Sequence, residues 1–591
     1  VRLRDAAARG KHPLRMQLGK RVAQGLLLGT LFGLALFSLE GALVRSGSAG
    51  LHFDTEGPFA ALMQAVRPAL PGLLVRIAVV YVLAGALTGV AAGALAALWS
   101  PRRFWPVVSA ELLALWLLLA WTHAIRRPAL FDDLPLVQGL LAALVRGGKP
   151  WHPQVAALVF AAAHFVAVAL RLREEPKRVR GFAGAAGLAA IVVFATAWRS
   201  TPAPGGGPLF LLVGIDALRP DRLEVAPNLS AFVKDATLYT RAYTPIAQTE
   251  PAWRALLTAR WPHVAGSRYP LTAQSRWPEL PVFPAEFEKQ GIATYFETDC
   301  SRFNFQDESS GFAHRVQPPR GALNFALEKL RFRAVGLVAD NALGAWWLPE
   351  LVENRAVAGL YDPYGYAQRL ARRIVEAAHQ GPTLYAFHGT AAHFPGDPAY
   401  PFYRKYVRAD APLQRRLRMV FTPIAGGEAQ ASGEWGRADS EALYDELIAQ
   451  GDMQLGMIFQ ALKEAHLYDD AYIVVFSDHG ESFHSDTPSL GGATPVHGAR
   501  LSDEENRIFL AVKPGRAKPA PRSDALVRLI DLGPTLLDAA GLAPLPAADG
   551  VPLSKAEGLM LYAETGFTHA APNAFDAEHL ALAPRTFDAY R

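Results

Sequence analysis

A single cysteine, Cys300, stands in 591 residues. No internal disulfide can form, so the folded part must hold together by its core alone. No internal repeat is evident either, which leaves no period on which to build a solenoid. The first apolar run is too long for a signal peptide and no small-residue cleavage site follows it, so it is expected to stay in place as a membrane anchor. The net charge of +5 and the sequence pI near 9.1 are no nucleic-acid signature, because much of the basic charge flanks the apolar runs. No nucleic-acid partner is expected.

What is abundant is apolar. Hydrophobic residues make up 51% of the chain and the mean hydropathy is +0.12. The excess gathers before residue 200, in runs from Val22 to Leu43, Leu73 to Trp99, Trp105 to Ala124, Val155 to Leu170 and Phe182 to Trp198. Each is close to the roughly 20 residues that cross a bilayer as a helix. Residues 1–200 are therefore expected to form a transmembrane bundle of five helices. Arg2, Arg4, Arg9, Lys11, Arg15, Lys20 and Arg21 precede the first run, Arg102 and Arg103 follow the second, and Arg171, Arg173, Lys177, Arg178 and Arg180 follow the fourth. The positive-inside rule makes that side cytoplasmic, and an odd number of spans then puts the rest outside. The expectation is an integral protein of a bacterial-type inner or plasma membrane whose large domain is periplasmic or extracellular.

Two loops on the outer side carry helical apolar spacing: Phe59, Leu62, Met63 and Val66, then Leu136, Val137, Leu140, Leu141 and Leu144. They fit helices lying in the membrane interface or packing on the bundle. Residues 201–208, TPAPGGGP, read as a linker. From residue 209 to 591 apolar β-runs (LFLLVGID, ATYFET, TLYAFHG, AYIVVFSD, RIFLAVKPG) alternate with helical stretches near Asn228 to Lys234 and Ala252 to Thr258. That pattern predicts an α/β domain with a central mixed, mostly parallel sheet covered on both faces. The polar stretch from Pro412 to Arg437 reads as a surface excursion.

Ligands gather at the carboxyl ends of such strands. Asp216, His388 and Asp478 with His479 all lie there. Thr249 heads a predicted helix, TEPAWRALLT, where it serves either as a cap or as a nucleophile facing free N–H groups and the positive end of the helix dipole. A threonine hydroxyl needs a metal or a base to react near neutral pH. Asp216, Asp478, His479 and Thr249 together offer two carboxylates, an imidazole and an oxygen, a set that suits zinc or manganese. His388, His393 and His497 form a second tier: contacts to phosphoryl oxygens, a proton donor to the leaving group, or ligands of a second metal.

The ordered blocks GIDALRPD, APNLSAFVKDATLYTRAYT, TEPAWRALLTARWPHVAG, SDHGES and LVRLIDLGPTLLDAAGLAP with DGVPL resemble the sulfatase branch of the alkaline phosphatase superfamily, over roughly residues 208 to 565. Sulfatases carry Cys or Ser, converted to formylglycine, where this chain has Thr249, which cannot form that aldehyde. In having Thr at this position, and in the five-helix membrane part, the chain is similar to lipoteichoic acid synthases and phosphoethanolamine transferases. The resemblance implies that Thr249 accepts the phosphoryl group and that Asp216, Thr249, Asp478 and His479 bind the metal. His388, His393 and Pro395 are spaced like a histidine block of the phosphoethanolamine transferases, and His497 matches their later substrate-binding histidine. The chain departs from the pattern at Ala217, where sulfatases have a second Asp, and at Ala252 and Trp253, which replace a Ser-Arg pair; Arg254 stands one place late as a candidate substrate contact. The disulfide cysteines common in phosphoethanolamine transferases are absent.

The expected activity is metal-dependent transfer of a phospholipid headgroup phosphoester, of phosphoethanolamine or phosphoglycerol type, through a phospho-threonine intermediate. His393 and His497 would take part in the chemistry, while His388, His393, His497 and Arg254 would contact substrate. The partners implied are a phospholipid donor, a lipid or glycan acceptor in the envelope, and the membrane itself. A membrane-anchored hydrolase, either a phosphodiesterase or a sulfuric ester hydrolase, is the alternative, and an inactive binding protein the third reading.

Overall fold

The computed structural model describes residues 11–47, 68–99, 104–127, 206–268 and 277–319, then 342–408 apart from short gaps, 437–483, and 497–565 apart from residue 499, with a few isolated positions between them. The chain divides into two compact units: the apolar N-terminal helices together with Lys329–Pro349, and the α/β fold.

In the first unit, α1 (Lys11–Gly47), α2 (Leu70–Trp99) and α3 (Phe104–Arg126) contain windows long and apolar enough to cross a membrane: Gly19–Ala42, Leu70–Ala94 and Phe104–Ile125. Of the five spans expected, three are found among the described residues. The fourth and fifth runs lie outside them, as do both interfacial loop stretches and most of the linker. α1 and α2 touch backbone to backbone. A Cβ on Gly29 would lie 2.0 Å from the Gly85 carbonyl oxygen, and one on Gly89 would lie 2.2 Å from that of Gly25. Only glycine permits this approach, the usual way helices associate where lipid removes the hydrophobic drive. The one carboxylate buried between them, Glu40, accepts a hydrogen bond from the Tyr81 hydroxyl, as a charge at that depth requires.

The second unit is built on eight strands: β1 (Leu209–Ile215), β2 (Thr237–Tyr243), β3 (Ala293–Thr298), β4 (His314–Val316), β5 (Thr383–Gly389), β6 (Tyr472–Phe476), β7 (Leu510–Pro514) and β8 (Arg522–Arg528). They form one sheet in the order β4-β3-β5-β1-β6-β7-β2-β8. β7 runs antiparallel to β6 and β2, and the other pairings are parallel. The predicted mixed, mostly parallel sheet is therefore present. β2, β4 and β8 were not among the strands read from the sequence.

β1 is buried along its whole length, and its alternation divides the core. Leu209, Leu211 and Val213 face one cluster, packed by Leu370 and Ile374 of α8 and by Ile448 and Ile458 of α9. Phe210 and Leu212 face the other, with Trp253 and Leu256 of α5, Phe283 and Phe287 of α6, and Leu532 and Leu536 of α10. These helices are α4 (Pro227–Phe232), α5 (Thr249–Thr258), α6 (Phe283–Lys289), α7 (Ala342–Trp347, which belongs to the first unit), α8 (Pro363–Gln380), α9 (Arg437–Glu464) and α10 (Leu532–Ala539). The excursion read between Pro412 and Arg437 lies outside the described residues except for Arg437, which starts α9.

Register positions the chemistry. Gly214 of β1 is level with His388 of β5 on one side and with Phe476 of β6 on the other. All three strands run the same way, so Asp216, His388, Asp478 and His479 emerge together at their carboxyl ends.

Candidate active site

Thr249 is the first residue of α5, and Gln248 before it, in an extended conformation, is the cap. The hydroxyl is thereby released from capping. Its Oγ1 lies 3.2 Å from His479 Nε2. The carbonyl oxygen of Gly480 can only accept, so His479 Nδ1, 2.8 Å away, donates to it, and Nε2 is the ring nitrogen left to face Thr249 and Asp216.

Around that nitrogen stand two buried carboxylates. His479 Nε2 is 3.4 Å from Asp216 Oδ1, and His388 Nε2 is 3.4 Å from Asp216 Oδ2 and 3.6 Å from Asp478 Oδ2. Asp216, His388 and Asp478 each offer a ligand atom, all within 4.8 Å of one another. Asp478 Oδ1 accepts from the Ala217 and His479 amides, but both oxygens of Asp216 and Oδ2 of Asp478 are buried without a hydrogen bond. Orphaned anions at such depth cost several kcal/mol each on the usual scale of roughly 1 to 3 per unmet group and more for charges. The oxygen and imidazole donors of Asp216, His388 and Asp478 could hold a metal ion, and such a donor set suits zinc or manganese. His388, read from the sequence as a substrate contact, a proton donor or a second-metal ligand, has its Nε2 between the two carboxylates.

The electrostatics follow from the same geometry. Burial first, and Asp478 second, hold Asp216 above the usual carboxylate range. Burial works to raise Asp478 too, but His479, His388 and the Ala217 amide together hold it below that range. Burial opposes charge on His388, yet the two aspartates prevail and push its pKa up to about 9.

His393 and His497 gather beside this cluster. The His497 ring stacks on His479 at 4.2 Å and meets His393 edge-on at 5.0 Å. His497 Nδ1 is 3.2 Å from Glu481 Oε1, a carboxylate only 1% exposed. Burial works against its charge, but Glu481 outweighs it and raises its pKa to about 9. His393 goes the other way: burial first, then His497 and Arg302, hold it well below its ordinary value. One imidazole is kept charged and its neighbour neutral.

The turn carrying His388 and His393 is pinned from below. Thr390 donates through its amide and hydroxyl to Asp299 Oδ1 at 3.2 and 2.8 Å. The Arg355 guanidinium donates to the carbonyl oxygens of Ala391, at 3.2 Å, and His393. Sequence reading found neither Asp299 nor Arg355, and gave Glu481 no role although it lies inside the quoted SDHGES block. The departures from the sulfatase pattern have physical explanations. Ala217 adopts a left-handed φ of 61° and its amide serves Asp478. Trp253 lies over Gly214, where a Cβ would come within 2.6 Å of Trp253 Cζ2, and meets His388 edge-on at 5.1 Å. Arg254 donates to the Pro278 carbonyl oxygen at 2.8 Å and stacks over Trp277.

The Sulfatase family model matches residues 216–542. An ulvan-active sulfatase of Formosa agariphila is 22% identical over 383 residues, covering 61% of this chain and 54% of that protein, so the chain spans about half the length of this curated relative. Among solved structures, a phosphonate monoester hydrolase from Silicibacter pomeroyi is 20% identical with a TM-score of 0.43, over 59% of this chain and 76% of that one. An alkaline phosphatase superfamily protein from Vibrio parahaemolyticus is 14% identical with a TM-score of 0.38, over 59% and 70%. With the family model spanning more than half of its 591 residues, the chain belongs to the sulfatase family of enzymes.

Proposed function

We propose that the chain is a membrane-bound, metal-dependent phosphotransferase in which Thr249 takes up a phospholipid headgroup phosphoester and passes it to a hydroxyl of an envelope lipid or glycan. The observation that carries this reading is the release of the Thr249 hydroxyl from capping and its approach to His479 Nε2 at 3.2 Å, beside three carboxylate oxygens of Asp216 and Asp478 that are buried without a hydrogen bond. Asp216, Asp478, His479, His388 and Thr249 would hold the cation. When bound, it supplies the positive charge that makes the threonine hydroxyl nucleophilic near neutral pH and offsets charge on the phosphoryl oxygens.

With the Thr249 hydroxyl proton lost to solvent beforehand, a bond forms in the first half-reaction between the Thr249 oxyanion and phosphorus while the bond from phosphorus to the diacylglycerol oxygen breaks; Thr249 leaves again as the oxyanion in the second half. His497, kept charged by Glu481, donates its proton to that leaving oxygen. The second half reverses the roles: His497, now neutral, takes the proton of the acceptor hydroxyl, whose oxygen attacks phosphorus and frees Thr249. His393, held neutral, offers a lone pair or an N–H to the transferred group. The apolar helices favour this substrate class, since a tether raises the effective concentration of headgroups. By the charge rule the α/β unit faces the periplasm or cell exterior.

A hydrolase, in which water replaces the acceptor, is the second reading; the similarity to an ulvan-active sulfatase favours it. The test is turnover by the purified full chain on defined phospholipids. Metal-dependent release of diacylglycerol, lost on chelation and in Thr249→Ala, supports the proposal. Release that persists in Thr249→Ala sinks it. Product analysis with and without a hydroxyl acceptor separates transfer from hydrolysis.

A further inference from the structure

A second feature lies outside the catalytic chemistry. α7 is covalently part of a long excursion between β4 and α8, yet it groups with the membrane helices. Its last residue is tied to α2 by a reciprocal pair of hydrogen bonds: Trp347 Nε1 donates to the Arg76 carbonyl oxygen at 3.1 Å, and Arg76 Nη1 donates to the Trp347 carbonyl oxygen at 3.3 Å. Leu348, next along, is 0% exposed, while Trp346 is 76% exposed.

The depth of this tie is set by α2. Its apolar window begins at Leu70, and Arg76 lies about 9 Å along the axis from there at roughly 1.5 Å per residue. A guanidinium at that level needs a polar partner or a route to the headgroups, and the Trp347 carbonyl is such a partner. Val75, Leu83 and Leu87 of the same helix are exposed and apolar, as lipid-facing positions are. A large exposed indole beside such a span is unfavourable in water. It is favourable at the headgroup level, where the ring meets apolar chains and its N–H meets water or ester oxygens.

We infer that α7 is an interfacial anchor, with the Trp346 indole seated in the lipid headgroup region at the Leu70 end of α2. Pro349, two residues after Trp347, is the last residue of this segment of the first unit, and Glu350 begins the return to the second, so the anchor lies next to a point where the chain passes from one unit to the other. The function is positional and independent of which ester the site cleaves.

The test uses the full chain in nanodiscs of phosphatidylcholine and phosphatidylglycerol. Trp346→Cys, made in a Cys300→Ala background and labelled with an environment-sensitive fluorophore, is read against doxyl-labelled phosphatidylcholine. Strong quenching by a shallow doxyl group, weaker quenching by a deep one, and little quenching of a control label at Asp470→Cys support the anchor. Quenching no greater than at the Asp470 position overturns it. So does a label shielded from lipid in a chain that light scattering finds dimeric, because the face would then meet a second copy. Hydrogen exchange gives an unlabelled check: Trp346→Asp in nanodiscs should speed exchange across residues 342–348, and unchanged exchange contradicts the proposal. Neither readout depends on catalytic activity, so failure here is distinct from failure of the phosphotransfer reading.

Discussion

Asp216→Asn should have opposite effects on stability with and without metal. In the metal-free protein the cluster holds two carboxylates against one histidine, His388, that they keep protonated, and neither oxygen of Asp216 accepts a hydrogen bond. Replacing Asp216 by the neutral amide leaves Asp478 and His388 as a balanced pair. Relief of one unmet buried charge is expected to stabilise the metal-free fold by about 1 to 3 kcal/mol. With metal at a hundredfold excess over its dissociation constant, the wild-type fold gains about 2.7 kcal/mol by mass action, and the variant, short of a carboxylate ligand, loses most of that gain. The order of stabilities should therefore invert. Thermal unfolding of the full chain in detergent, followed by tryptophan fluorescence in chelator and then in excess zinc or manganese, measures both orders. A variant that melts below wild type in chelator, or that keeps the full metal-induced shift, refutes the reasoning.

Three further outcomes are expected. Gly214→Ala puts a methyl 2.6 Å from Trp253 Cζ2; it should cost about 1 to 3 kcal/mol by overpacking and weaken metal binding through the Trp253 contact with His388, measurable by titration with a metal indicator. Gly29→Leu should disrupt α1 against α2, whereas Gly41→Leu, where an added Cβ meets nothing within 4 Å, should not; detergent unfolding of the two variants decides it. In chelator, stability should fall as pH rises from 7 to 10. His388 and His497 have folded pKa values raised from 6.5 to about 9, so their contribution is complete below about 6.5 and is lost as pH passes about 9; a flat profile of unfolding temperature contradicts this.

The sequence made Asp216, Asp478, His479 and Thr249 legible for a local reason. Each follows an apolar β-run or heads a helix, and a parallel sheet brings strand ends together whatever the loops do. His388 was seen at a strand end too, but its place between the carboxylates depends on the register of β5 and β6 across β1, which no local pattern encodes. Arg355, Asp299 and Glu481 act through partners far along the chain or through burial, and their own neighbourhoods carry no signal. β4 has three residues, and β8 reads RSDALVR with charges at both ends; as edge strands they lack the apolar runs that exposed β1, β5 and β6. The membrane bundle was legible as composition, and the glycine contact of α1 with α2 was not, because it depends on how two helices face each other.

The central claim is that Thr249 forms a covalent bond to the transferred group. It is tested most directly by incubating the metal-loaded full chain with a phospholipid of known headgroup, quenching in acid and weighing the peptide that contains Thr249 by mass spectrometry. The account expects a mass addition equal to the headgroup phosphoester, localised to Thr249 and absent in chelator. Turnover of the same lipid with an unmodified Thr249 peptide at every quench time would contradict it.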